Sequence, residues 1–380
     1  MARILYGVSG QGFGHASRAD SVARGLLARG HDVQFVTSRQ STEALRPRFG
    51  DRVHDTFGLR LCLNSGRVTA VGTVLANLVD GFFGGGLRRN RITLDGLFRN
   101  FKPDLVLSDF EPFTALWARK YGVPAVGLDH QHLISHGRVE VPAGMRWSYL
   151  TALLVIRLWQ LQAKRFLITN FFRVPIRNQP ARMVPPVLRD AVYRVVPVAG
   201  GHVVAYITEG CDPEPFVAAF RALPDTEFRC YGFGRAGRER NVVFLPASVD
   251  GFLADVGSAA AVIATAGYNL ITECMHFRKP MLLAPIPGQF EQQINAYYVD
   301  KLGLGRSVEA VTPQVIKRFL ADLPRFRNVL ERHPDPARLD AVLDAVESEL
   351  PRPLRGRIGR DAAGDPPCGG RSWSRDPVVA

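Results

Sequence analysis

Apolar residues along this chain fall into short unbroken runs, and stretches of helical period separate them. Residues 3–8, 31–37, 105–108 and 124–128 read as strands buried on both faces, with 16–29 and 113–121 as helices between them. Strand, glycine loop, helix, strand is a βαβ unit with parallel pairing. The same alternation restarts after Gly200-Gly201. Strands are expected at 203–207, 227–231, 242–245, 260–265 and 280–284, and helices at 213–222, 249–256, 268–277 and 289–302. The pattern predicts an α/β chain with two doubly wound, Rossmann-like domains facing across a cleft. The expected units are 1–172, a linker at 173–199, 200–350, and a disordered tail at 351–380. Pro175, Pro180, Pro185, Pro186 and Pro197 mark the linker. Scarce large apolar residues mark the tail.

Composition narrows the class. The 380 residues are 46% apolar, enough for two cores. Lys and Arg number 48 against 35 Asp and Glu, a net charge of +13. Such a charge suits nucleic acid, an anionic membrane or phosphorylated small molecules. No basic run is interleaved with aromatics and no helix-turn-helix pattern occurs, so nucleic acid is not an expected partner. Cys62, Cys211, Cys230, Cys274 and Cys368 are odd in number and none share CxxC spacing. A zinc site or disulfide framework is therefore not expected, and a reducing cytoplasm fits. The chain opens directly on a strand, so no signal peptide is expected, and no apolar run reaches the length of a spanning helix.

Two loops carry the candidate chemistry. The first, from Ser9 through Gly10, Gly12 and Gly14 to His15, precedes a helix whose N–H groups favour an anion. His15, as a neutral imidazole at that positive helix end, is a candidate general base; it reads equally as a turn cap. Asp109, at the end of the 105–108 strand, is the rival base, and reads equally as the N-cap of the next helix. The residues after the second strand are Thr37-Ser38-Arg39. The acidic ribose partner of a dinucleotide-binding fold is missing there, which argues against an NAD-dependent dehydrogenase, though an NADP-dependent one could use Arg39.

The second loop is Thr265-Ala266-Gly267-Tyr268-Asn269. It ends a strand, where open α/β sheets bind ligands. Glu273 follows on the same helix and can accept two ribose hydroxyls. Gln289, Glu291, Gln292 and Asn295 form a polar cluster suited to reading sugar hydroxyls, or else a solvated helix face.

The order TAGYNLITE, KPMLLAPIP and GQFEQQINA, with the opening GQGFGHASR, SDFEP at 108–112 and DHQH at 129–132, resembles the GT-B glycosyltransferases. It is most similar to the MurG-like group and its uncharacterised bacterial and archaeal relatives, over residues 1 to about 310. The resemblance implies a nucleotide-sugar donor, UDP-linked, and metal-independent transfer of a hexose or N-acetylhexosamine with inversion and no cofactor. No D-x-D motif occurs. By position, Gly267 and the following amides would hold the diphosphate, and Glu273 the ribose. Gln292, with Glu291 and Asn295, would contact the transferred sugar. Gly12 and Gly14 would line the acceptor side, and His15 would act as base or diphosphate partner. Many small-molecule enzymes of this fold carry His two residues before the glycine; here that position is Thr265.

The resemblance also implies a carbohydrate or lipid-linked acceptor, and with it an anionic membrane surface at the inner face of the cell membrane. Read as one helix, residues 147–165 place Arg146, Arg157 and Lys164 within about twenty degrees of one another. Leu150, Leu153, Leu154, Leu158 and Leu161 lie elsewhere on it. A second apolar-then-basic stretch runs from Leu78 through Phe82 and Phe83 to Arg88, Arg89 and Arg91. Both read either as membrane-facing or as a core helix and a solvated loop. Two other functions stay open: a UDP-sugar 2-epimerase of the same architecture, and a nucleotide-binding module without catalysis.

Overall fold

The unbroken apolar runs become parallel strands covered on both faces in the computed structural model. It describes residues 1–59, 63–64, 67–68, 70–159, 163–177, 180–208, 211–335 and 338–351. The first half contains β1 (Arg3–Val8), α1 (Phe13–Ala28), β2 (Asp32–Thr37), α2 (Arg39–Phe49) and β3 (Val53–Asp55). A small hairpin, β4 (Leu63–Asn64) and β5 (Arg67–Val68), stands apart from the sheet. Then come α3 (Ala70–Leu78), α4 (Gly86–Asn100), β6 (Leu105–Asp109), α5 (Pro112–Tyr121), β7 (Ala125–Asp129), α6 (His132–His136), α7 (Arg146–Trp159), β8 (Arg165–Thr169) and β9 (Ala181–Val184). Seven of these strands form one sheet in the order β3-β2-β1-β6-β7-β8-β9, every pair parallel.

After α8 (Asp190–Tyr193) the second half repeats the scheme. It runs β10 (Val203–Tyr206), α9 (Glu214–Arg221), β11 (Phe228–Tyr231), β12 (Gly237–Glu239), β13 (Val242–Leu245), α10 (Val249–Ser258), β14 (Ala261–Ala264), α11 (Tyr268–His276), β15 (Met281–Leu283), α12 (Phe290–Lys301), β16 (Gly305–Ser307), α13 (Pro313–Ala321), α14 (Leu323–Arg332) and α15 (Leu339–Glu347). Its sheet order is β12-β13-β11-β10-β14-β15-β16, with β12 antiparallel at one edge. Both sheets reverse their winding beside their first strand, between β1 and β6 and between β10 and β14. Those are the switch points at which doubly wound sheets open a crevice.

Met1–Leu350 form one compact unit, and two features cross the boundaries that composition suggests. Ala181–Val184, inside the proline-marked 173–199 stretch, is a full sheet strand paired with β8. Helix α15 lies within the expected 200–350 unit, yet it packs against the first half. Val342, Leu343 and Val346 join the core that holds Val22, Leu26 and Leu45. A Cβ placed on Gly25 would lie 2.5 Å from Leu343 Cδ1, so α1 and α15 touch with nothing between. Arg29 at the end of α1 binds Asp340, Asp344 and Glu347 along α15. The expected 147–165 helix also stops early: α7 ends at Trp159 and Arg165 opens β8. Lys164 therefore leaves the basic stripe. Residue Leu161, the side chain of Leu158, Cys62, Cys368 and the 352–380 part of the expected tail lie outside the described residues.

An apolar seam joins the halves. One core cluster takes Phe166, Phe171 and Phe172 from the first half and Leu270, Phe290, Ile294 and Tyr298 from the second. Phe172 stacks on Tyr298 with ring centroids 3.7 Å apart.

The crossing helix gives a direct test of the packing. Leu343→Ala removes a side chain that is 2% exposed, and is expected to lower unfolding free energy by about 2–5 kcal/mol. Urea denaturation checks it; a loss within experimental error would mean that α15 does not hold the first half.

Candidate active site

The first loop is built by contact and dihedral constraints. Ser9 N donates to Asp109 O at 2.9 Å, tying the end of β1 to the end of β6. A Cβ on Gly10 would sit 2.1 Å from Ser38 Oγ and 2.5 Å from Ser38 O, so only glycine fits. Gly12 adopts φ 83 as the N-cap of α1, and its N–H donates to Gln40 Oε1 at 2.8 Å. The chain then enters α1 with His15 and Arg18 one turn apart on the same face.

Those two side chains meet Asp109, the last residue of β6. Arg18 binds it bidentately, Nε to Oδ2 at 2.8 Å and Nη2 to Oδ1 at 2.6 Å. His15 Nδ1 lies 2.7 Å from Asp109 Oδ1. Asp109 is fully buried and Arg18 nearly so, while the His15 side chain keeps 13% exposure. A carboxylate only accepts, so we assign the ring proton to Nδ1. In the neutral imidazole this leaves the Nε2 lone pair for a substrate proton. Burial opposes the Arg18 charge, yet Asp109 beside it more than compensates and holds the guanidinium above its ordinary pKa. Asp109 is thus not an N-cap. Glu111 caps α5 instead, accepting from Phe113 N at 2.9 Å and Thr114 N at 2.8 Å. Burial pushes the Glu111 carboxyl up. Between the two acids Phe110 takes φ 53, a costly backbone for an aromatic residue, so the turn that aims Asp109 into the site is held by its surroundings.

Across the cleft, Thr265 pairs with Thr208 through hydroxyls 2.7 Å apart, joining the ends of β14 and β10 at the second switch point. Gly267 precedes α11. Its φ is an ordinary −68, and no described atom lies within 4 Å of where a Cβ would sit. Neither backbone strain nor internal crowding requires glycine there. Asn269, in the first turn of α11, donates from Nδ2 to Gly14 O at 3.1 Å. The entrances of α1 and α11 therefore face one another.

The remaining predicted residues divide. Glu273 is buried on α11, and Arg189, just before α8, takes both its oxygens at 2.7 and 2.9 Å. Burial raises its carboxyl pKa despite Arg189. Gln289 and Glu291, at the start of α12, are half-buried. Gln292 is buried and braces the preceding loop, its Oε1 accepting from Ile286 N at 3.1 Å. Asn295 lies deeper than these three. It is fully buried, 3.0 Å from His130 Nε2 through Oδ1 and 3.3 Å from Ala266 O through Nδ2. One N–H and one carbonyl oxygen of its amide face the seam between the halves, where polar groups must find partners.

Several residues of the site carried no decisive local signal. Arg18 has its i, i+3 spacing from His15, which alone names no partner. Arg189 lies in the proline-marked stretch, 84 residues from Glu273. The DHQH stretch hides a second His–Asp pair: His132 Nδ1 lies 2.6 Å from Asp129 Oδ2, both buried. Burial opposes the Asp129 charge, but His132 and its backbone N–H hold the carboxyl below the usual range.

Two doubly wound sheets with facing switch points define the GT-B class, and solved structures of that class share this fold. The glycotransferase of kitacinnamycin superposes with a TM-score of 0.63 at 18% identity, covering 92% of this chain and 99% of that one. The calicheamicin glycosyltransferase CalG4 gives 0.61 at 18%, covering 95% and 100%. MurG of Acinetobacter baumannii gives 0.58 at 14%, covering 92% and 100%. In sequence, an uncharacterised glycosyltransferase of Methanosarcina acetivorans is 24% identical over 403 residues, 95% of this chain and all of its own length. A second from Methanosarcina mazei is equally similar. Residues 2–324 match the family described as glycosyl transferase family 1, and the chain belongs to it. Its reaction is glycosyl transfer.

The buried triad makes a measurable claim. Asp109→Asn strands the Arg18 cation and is expected to cost about 3–5 kcal/mol. Asp109→Asn combined with Arg18→Met is expected to cost clearly less than the two single losses added together. A double-mutant cycle by chemical denaturation reads the coupling; simple additivity would show that the pair does not interact.

Proposed function

We propose that the protein transfers a hexose or N-acetylhexosamine from a nucleoside diphosphate sugar, with UDP the expected nucleotide, to an acceptor hydroxyl with inversion. The observation that carries this is the placement of the His15–Asp109 pair opposite the glycine-led entrance of α11. His15 Nε2 takes the acceptor proton and the acceptor oxygen attacks the anomeric carbon. The bond from that carbon to the diphosphate oxygen breaks, and the electron pair leaves with the diphosphate. Asp109 holds the ring and stabilises the imidazolium that forms. The leaving charge meets the first N–H groups of α11, which have no partner inside the helix. This assignment explains Gly267, since a ligand approaching the backbone is what its missing side chain admits. No metal is needed for this stabilisation.

Glu273 remains the ribose reader in this proposal. A carboxylate offers about four lone-pair sites and Arg189 uses two. Gln289, Glu291 and the Nε2 of Gln292 face the transferred sugar, while Thr265, Asn269, Gly12 and Gly14 shape the diphosphate cleft. Asn295 sets the seam instead.

The acceptor reading extends to a lipid-linked substrate at an anionic membrane surface. Leu75, Leu78, Val79, Phe82 and Phe83 are all exposed, Phe83 by 88%, and Arg88, Arg89 and Arg91 follow on the exposed side of α4. Apolar side chains flanked by Arg suit an anionic interface. Among the described residues no helix is long and apolar enough to cross a membrane.

A thermal-shift panel of UDP-, dTDP- and GDP-sugars is expected to raise the melting point with one nucleotide class. With that donor, His15→Ala should slow diphosphate release by about 10²–10⁴-fold while the melting shift persists. No stabilisation by any donor would overturn the reading, and a donor epimer formed without acceptor would favour the epimerase. Separately, flotation with phosphatidylcholine vesicles containing phosphatidylglycerol should carry the protein at low salt, and Phe82→Asp with Phe83→Asp should abolish it. A wild-type protein that stays at the bottom removes the membrane surface.

A further inference from the structure

We infer that Gln131 reads the transferred sugar from the first half of the molecule, acting as a pair with Glu291 of the second half. The inference rests on the donor reading above.

Gln131 lies two residues beyond the end of β7, next to the β6 end that bears Asp109. Its backbone is held from both sides. His130 is buried, its Nδ1 3.0 Å from Thr169 O and its ring stacked on Tyr268 at 4.0 Å. His132 is buried and paired with Asp129, and its own N–H donates to Asp129 Oδ1 at 2.9 Å. The side chain between them crosses the cleft: Gln131 Nε2 donates to Glu291 Oε2 at 3.2 Å. Because Glu291 only accepts, the amide orientation is decided, and Oε1 must point away from that bond. Gln131 Oε1 is buried and accepts from no described residue.

A hydrogen bond that served only to join the halves would not require an unsatisfied carbonyl beside it. Apolar packing at Phe172–Tyr298 and the His130–Asn295 contact already join them. A buried acceptor without a protein donor is unfavourable, and it calls for a donor from water or from a ligand. Here one neutral acceptor and one carboxylate sit side by side at the start of α12, in the polar cluster assigned to the sugar. Two adjacent hydroxyls of a pyranose match that arrangement, one donating to Gln131 Oε1 and one to Glu291. Reading the sugar from both halves ties its recognition to the closed cleft, since Gln131 reaches Glu291 only when the halves meet.

The test separates sugar from nucleotide. Titration calorimetry would compare UDP-glucose, UDP-N-acetylglucosamine and dTDP-glucose with UDP and dTDP alone, on the wild type and on Gln131→Met, which keeps volume and removes both amide groups. The variant is expected to bind the preferred sugar nucleotide about five- to tenfold more weakly, the worth of one hydrogen bond, with affinity for the parent diphosphate and the melting point unchanged. An unchanged ratio of sugar-nucleotide to diphosphate affinity would overturn the assignment. Equal weakening of both would also overturn it, since Gln131 would then act through the seam. If the wild type bound no sugar nucleotide, the donor reading itself would fail; wild-type binding with an insensitive variant removes Gln131 alone.

Discussion

A charged carboxylate buried at the end of a strand is costly unless an opposite charge or hydrogen-bond donors meet it, and Asp109 imposes that condition on the first half of the molecule. Arg18 meets it from one turn inside α1, at the cost of burying a second charge. Once both are buried, the angle between α1 and β6 is no longer free, because two parallel hydrogen bonds fix the guanidinium plane against the carboxylate plane. His15 then has one place to go. Its Nδ1 meets Asp109 Oδ1, the oxygen it shares with Arg18 Nη2, and the ring presents Nε2 outward. The strained Phe110 and the Glu111 cap are local consequences. The chain must turn sharply so that one acid faces the cleft while the next covers the start of α5.

The second half answers with a different device. Its switch point carries hydroxyls and backbone rather than a charged triad, and the positive end of α11 supplies the field. Division of labour follows from chemistry. In the proposed transfer, proton removal needs a titratable side chain held in one tautomer, whereas a departing diphosphate needs several donors aimed at diffuse negative charge. Asn269 and Gly14 bring the two devices into contact, and the apolar seam of Phe172, Tyr298, Phe290 and Ile294 sets their separation. Asn295 belongs to this framework. Its amide lies between the halves, 3.0 Å from His130 Nε2 on one side and 3.3 Å from Ala266 O on the other.

Much of the fold was legible because its periodicities are strong. Strands buried on both faces give short, largely apolar runs such as ILYGV and AVIA, and the glycine loops that follow them mark the helix entrances. Residues His15, Asp109, Gly267 and Glu273 stood out through their positions at strand ends and helix starts. The 173–199 stretch misled because prolines punctuate it on either side of β9, whose four residues are too short to show a period. Helix α15 misled for another reason: its own pattern is amphipathic, and nothing local says which half its apolar face covers.

The sequence by itself determined the alternation of elements, the two glycine-led loops and the residue types gathered near them, since these follow from spacing and backbone chemistry within a few turns of chain. Only the tertiary structure decided the pairings. That Asp109 binds Arg18 and His15 rather than capping a helix, that Arg189 covers Glu273, that Asn295 serves the seam and that Gln131 reaches Glu291 are contacts between segments far apart in the chain. Burial and charge balance select among them, and no local spacing records that selection.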